Sequence, residues 1–196
     1  MRVHLGDTVR EGSPRWNQTF ETQGGIFSGF FRTEESKREF LKGMHGFGRI
    51  SSPAVVAAFD LSHFHRLIDI GGASGHLADA VHERYPQIDA QVFDLPEVAE
   101  MYPGTIAGDF FTDPLPPADL YSLGRILHDW SDETCHRLLA KIHVSLPSNG
   151  GLLIAENDRD DVRGAGATIP PLLFQRLAQA RGLLLKIVAL GLQRRQ

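Results

Sequence analysis

The chain has 196 residues, 42% of them hydrophobic and 22% charged, a globular composition that excludes a largely disordered chain and suits one main domain with a small appendage. A net charge of −4 leaves no basic face for a nucleic-acid backbone, and the single cysteine, Cys135, excludes a disulfide framework and a cysteine-based zinc cluster. No apolar run reaches the roughly 18 residues that span a bilayer, and residues 1–12 lack the apolar stretch of a secretory signal, so the expected setting is the cytoplasm.

Three zones follow one another: a helical lead-in over 1–60, a segment over 61–157 in which apolar runs alternate with helical patterns, and a divergent tail over 158–196. In the lead-in, Thr33 is placed to cap a helix that opens with Glu34 and Glu35, and Phe40, Leu41, Met44 and Phe47 recur on one face. Glycines 43, 46 and 48 weaken that pattern, and a second helix is expected over Pro53–Phe59 with proline in its first turn. Glu34–Glu39 reads as a solvated mixed-charge face.

Arg66–Ile70 reads as a buried strand running into Gly71-Gly72-Ala73-Ser74-Gly75, and His76–Tyr85 as a helix stopped by Pro86. Further strands are expected at Ala90–Asp94, weakly at Thr105–Ala107, at Leu120–Leu127 and at Gly151–Glu156, with a helix over Asp132–Leu146. Alternation of strands and helices implies an α/β fold, a parallel Rossmann-like sheet with right-handed crossovers. In the tail, Leu183–Leu192 reads as one amphipathic helix or a short strand.

Three signals carry chemistry. The first is strand, glycine turn, helix, then an acid, Asp94, ending the next strand about 20 residues past the glycines. Glycines at 71, 72 and 75 let a ligand approach the main chain, the helix N-terminus offers free N–H groups, and a carboxylate at 94 accepts both hydroxyls of a ribose. A plain strand–helix turn with a surface Asp gives part of this pattern; the complete unit favours a nucleoside ligand. The spacing Asp69-x-Gly71-Gly72-x-x-Gly75 is not the G-x-G-x-x-G of dinucleotide enzymes, and it suits S-adenosylmethionine, which has no pyrophosphate. The second signal is Gly108-Asp109-Phe110-Phe111, at the carboxyl end of a strand, where Asp109 can accept from an adenine amine and Phe110 pack on its ring. The third is Arg125-Ile126-Leu127-His128-Asp129-Trp130, which puts an imidazole at the same crevice edge. On an extended segment Asp129 would point away from His128, which argues against its supporting the ring. His76 opens the helix after the glycine loop, within reach of a cofactor carboxylate. His63 and His65 have no third metal ligand nearby, so no metal is expected.

In combination, Ala58-Phe-Asp-Leu-Ser62, the Asp69 glycine loop, Val92-Phe-Asp-Leu-Pro96, Gly108-Asp-Phe-Phe-Thr-Asp-Pro-Leu-Pro116 and Arg125–Trp130 resemble the acetylserotonin O-methyltransferase family, the metal-independent, caffeic-acid-type branch of S-adenosylmethionine methyltransferases. The resemblance covers about residues 9–157 and implies methyl transfer from S-adenosylmethionine to a hydroxylated aromatic small molecule. It assigns His128 as general base, and Phe31 (a tyrosine in most members), Gly71, Asp94, Gly108, Asp109, Phe110 and Arg125 as cofactor contacts; Gly48 stands where some members have tryptophan. It also implies a homodimer, built in the family on an N-terminal helical domain of which this chain has little, so truncation at both ends is expected. Leu95–Ala107 is too short for the full helix and longer third strand of the family, and 158–196 lacks its Asn-Met helix, its Thr-Glu-Gly segment and the acid that supports the base. A cofactor-binding remnant without catalysis is the alternative, and a nicotinamide oxidoreductase is a third reading that the glycine spacing opposes.

Overall fold

The structure, a computed structural model, describes residues 33–157 and 184–190. It begins with α1 (Glu34–Ala57), capped by Thr33, whose side chain accepts from the Ser36 backbone N–H while the Ser36 side chain accepts from that of Thr33. The two helices expected here are one. Pro53 lies inside it, so tertiary packing outweighs the loss of one backbone hydrogen bond, and Val55 and Val56 beyond the proline are buried. The face over 34–39 is not all solvated either: Lys37 is 4% exposed and pairs with Glu34 at 2.8 Å.

The remaining elements are β1 (Arg66–Ile70), α2 (His76–Arg84), β2 (Asp89–Asp94), the single-turn α3 (Pro96–Ala99), β3 (Ile106–Ala107), β4 (Leu120–Gly124), α4 (Asp132–Ser145), β5 (Gly151–Asn157) and β6 (Leu184–Leu190). The strands form one sheet in the order β3-β2-β1-β4-β5-β6, every pair parallel. The short link between Asp94 and Gly108 holds both a helix and a strand, each cut to a remnant. The tail segment read as helix or strand is a strand, its Leu184 in register with Gly151. The strand expected over Leu120–Leu127 stops at Gly124, because Arg125 turns to a φ of +61°.

Period-two alternation divides the core between the faces of the sheet. Ile68, Ile70, Tyr121, Leu123, Leu152 and Ile154 pack with Leu138, Leu139 and Ile142 of α4. Leu67, Leu120 and Leu153 pack on the other face with Val55 and Val56 of α1 and Leu77 and Val81 of α2. The carboxyl ends of β1, β2, β3 and β4 therefore lie side by side, with α1 packed beside α2 over that edge, which is where a doubly wound sheet holds its ligand.

Asp119 ties the opposite end together. Its carboxylate accepts from the backbone N–H groups of His65 and Arg66 and lies 3.1 Å from the His65 ring, while its own carbonyl accepts from Gly151. Burial pushes its carboxyl up, but the bonds from Arg66 and His65 outweigh burial and hold it below the ordinary value. Its stabilisation is thus complete above pH 3.8 and is lost as pH falls through the lower folded value. Asp119→Ala is expected to cost about 1–3 kcal/mol in urea unfolding at pH 7, a difference that shrinks in strong acid.

Candidate functional site

The loop after β1 is set by backbone geometry. Gly71 has φ +69° and its N–H donates to the Phe93 carbonyl at 2.8 Å; a Cβ there would lie 2.5 Å from Ile126 Cδ1. Asp94, 8% exposed at the end of β2, holds the loop from the other side: Oδ2 accepts from the Ala73 N–H at 2.8 Å and Oδ1 from the Leu95 N–H at 2.7 Å. Burial pushes its carboxyl up against these two bonds. A carboxylate has about four lone-pair positions, so two remain for a ligand.

Asp94, Gly71, Asp109, Phe110 and Arg125 line one cavity of about 280 Å³, at the small end of ligand sites. Phe40, Leu41 and Met44 of α1 close it, which gives the apolar face read in that helix its purpose. Gly108 stands beside the cavity, its N–H donating to the Asp94 carbonyl at 2.9 Å. Asp109 Oδ1 accepts from the Phe111 N–H, and Phe110 packs with Phe111 and edge-on to Trp130. Phe31 lies outside the described residues. A larger, shallower groove of about 560 Å³ runs along α2 and β2, but none of the expected site residues lines it.

Arg125 hydrogen-bonds the Ala155 carbonyl through its backbone and sets its guanidinium 5.1 Å from the centre of the Phe47 ring. Its Nε is buried with no hydrogen-bond partner among the described residues, a donor suited to an anionic ligand group. Residues Leu127–Asp129 form one 3-10 turn rather than extended chain. That turn brings Asp129 Oδ1 to 3.5 Å from His128 Nε2, where the expectation had them pointing apart. His128 Nδ1 lies 3.0 Å from Glu156 Oε2, and Glu156 Oε1 accepts from the Leu127 N–H at 2.9 Å. The Glu156 hydrogen bond raises the His128 pKa above its ordinary 6.5; burial opposes this and the Asp129 charge adds to it. The ring is 39% exposed and is not among the cavity-lining residues, whereas its neighbours Asp129 and Trp130 are. Among the described residues no group of three or more His, Cys, Asp or Glu side chains is placed to hold a metal, and no helix is long and apolar enough to cross a membrane.

The O-methyltransferase domain family matches residues 3–168. The chain belongs to that family. It is 38% identical to acetylserotonin O-methyltransferase of Bos taurus over 85% of this chain and 52% of the relative, and 37% identical to that of Macaca mulatta over 82% and 50%. The crystal structure of human N-acetylserotonin methyltransferase in complex with S-adenosylmethionine superposes with a TM-score of 0.72 at 35% identity, covering 93% of this chain and 56% of that one. The chain spans about half the length of the curated relatives it matches.

Membership of the O-methyltransferase domain family gives the cavity a natural occupant to test, an adenosyl cofactor, and the residues present fit one. Asp94 has acceptor positions that a ribose would use, Asp109 and Phe110 line the same cavity, and the buried Arg125 Nε would donate to an acceptor on the ligand. Sequence reasoning gives Glu156 no role and reads Asp69 only as the acid of the glycine-loop spacing. Glu156 ends a strand beside β4, and that placement was its only signal.

Asp69 is 1% exposed, accepts from the Ser122 hydroxyl at 2.7 Å, and lines the cavity. Burial pushes its pKa up to about 7; the Ser122 bond opposes this and the Asp94 charge adds to it. Folded Asp69 keeps its proton where an unfolded one, at 3.8, has lost it, so stability falls as pH rises from 3.8 to about 7. Asp69→Asn should flatten that dependence, seen as a smaller loss of urea resistance between pH 5 and pH 8 than in wild type. Equal losses in the two proteins would contradict it.

Proposed function

We propose that this chain is an S-adenosylmethionine-dependent O-methyltransferase acting on the hydroxyl of an aromatic small molecule, as its acetylserotonin-methylating relatives do. The observation that carries the reading is one strand-end cavity lined by the loop-anchored carboxylate Asp94 and by Asp129 and Trp130, with His128, bonded to the buried Glu156, next to them in the chain. Asp94 would hold the ribose, Asp109 and Phe110 the adenine, and Gly71 and Arg125 the amino-acid portion. The cofactor supplies an electrophilic methyl group on sulfur. The chain supplies position, exclusion of water by Phe40, Leu41 and Met44 of α1 and by the Phe110 cluster, and a place for the proton.

His128 is the base of this proposal. A phenol has a pKa of about 10, so its hydroxyl must give up its proton as it attacks. Glu156 accepts from Nδ1–H, which leaves the Nε2 lone pair to take that proton. Asp129, 3.5 Å from Nε2, stabilises the imidazolium that results. A second reading, a cofactor-binding chain without turnover, is favoured by one observation: the imidazole does not line the cavity.

Incubation with methyl-labelled S-adenosylmethionine and simple phenols tests both. Transfer of label is expected, rising with pH through a value above 6.5, since His128 must be neutral to act and its pKa is raised. His128→Ala should slow turnover by about 10²–10⁴-fold with S-adenosylhomocysteine binding unchanged. Glu156→Gln should move the acid limb to lower pH. Binding of S-adenosylhomocysteine without any label transfer would establish the second reading instead.

A further inference from the structure

α1 is fastened to the glycine loop at two points. His45 Nδ1 lies 2.7 Å from the Ser74 hydroxyl, and Ser52 Oγ lies 2.9 Å from His76 Nδ1. Between them is Gly48, on the turn of α1 that faces the start of α2. A Cβ at Gly48 would lie only 2.1 Å from His76 Cδ2 and 2.2 Å from Nε2, so the imidazole occupies the space that any other residue at 48 would fill. Glycine in a helix interior costs about 1 kcal/mol against alanine, and here that space is taken by a ring that also lines the cofactor cavity.

The ring is oriented rather than merely packed. Ser52 is 3% exposed, and its hydroxyl has His76 Nδ1 as partner. With that hydroxyl donating, the ring proton sits on Nε2, which has no protein partner among the described residues. Burial, with the charge of His45 added, lowers the His76 pKa, while Asp79 opposes and Arg125 reinforces the shift, so the imidazole is neutral at pH 7. A neutral ring can still donate one N–H.

The surroundings favour an anionic partner. Gly75, the N-cap of α2, makes no side-chain capping bond, so the first N–H groups of the helix are uncapped. Arg125, which lines the same cavity, has its buried Nε without a hydrogen-bond partner among the described residues. Asp94 ends β2 and Asp109 follows β3, while His76 and Arg125 follow β1 and β4, so in the order β3-β2-β1-β4 the two carboxylates line one side of the cavity and His76 and Arg125 the other. In the pose this arrangement favours, a nucleoside held by Asp94 would direct its 5′ substituent to the side where His76 and Arg125 stand.

We propose that His76, seated on Gly48 and oriented by Ser52, is a specificity-determining residue that donates through Nε2 to the carboxylate of the ligand's amino-acid end. The inference rests on the adenosyl-site reading above and extends it. It makes His76 a discriminator between an adenosyl amino acid and an adenosyl thioether that lacks the amino-acid group.

The test is calorimetric titration of the full chain at pH 7.5 with S-adenosylhomocysteine and with 5′-methylthioadenosine. His76→Phe keeps a ring over Gly48 without the donor; Gly48→Ala displaces the ring without altering it chemically. Each variant should weaken S-adenosylhomocysteine by about tenfold, the loss of a hydrogen bond to a charged group, and change methylthioadenosine less than about twofold. Equal weakening of both ligands would make His76 a packing residue and overturn the proposal, as would an unchanged affinity ratio. A wild-type chain that binds neither ligand would overturn the adenosyl-site reading and this inference with it.

Discussion

The Asp94 carboxylate is the constraint on which the site depends. It ends β2, yet one of its oxygens is bonded to the main chain of the loop that follows β1. The glycine loop is thereby pinned at the height of the sheet edge, with Gly71 bonded to the Phe93 carbonyl from the other direction. A carboxylate on a residue only 8% exposed would be costly if its acceptor positions were idle. The two backbone donors offset part of that cost, and the polar groups of a bound sugar would offset the rest. The same bond therefore fixes a loop and, in the proposed function, readies the carboxylate for a ligand.

The proton-handling end has a parallel logic. Gly124 ends β4, Arg125 turns the chain through a left-handed conformation, and a single 3-10 turn follows. Glu156, from the neighbouring strand, grips that turn through the Leu127 N–H and reaches the His128 ring with its other oxygen. One carboxylate thus sets both the backbone that presents the imidazole and the nitrogen that keeps its proton.

Much of this was legible in the sequence because it is periodic or punctuated. Short apolar runs bounded by turn residues mark β1, β4 and β5, the glycine cluster marks the loop, and the carboxyl-end rule places Asp94, Asp109 and Arg125 at one edge. What was hidden has physical reasons. Pro53 reads as a helix start, and only burial of Val55 and Val56 carries α1 through it. The 3-10 turn at 127–129 is invisible to a period-two pattern, so the approach of Asp129 to His128 was missed. Glu156 is far from His128 in the chain, and only the pairing of β4 with β5 makes them neighbours. His76 and Gly48 each look unremarkable alone, and their complementarity exists only across the α1–α2 packing.

Titration of S-adenosylhomocysteine into the wild-type chain and into Asp94→Ala tests the central claim most directly. The account predicts saturable binding to wild type and a loss of about 1.5–3 kcal/mol in the variant, the range for hydrogen bonds to a charged group. Equal affinity in the two proteins, or no binding to wild type, would contradict it.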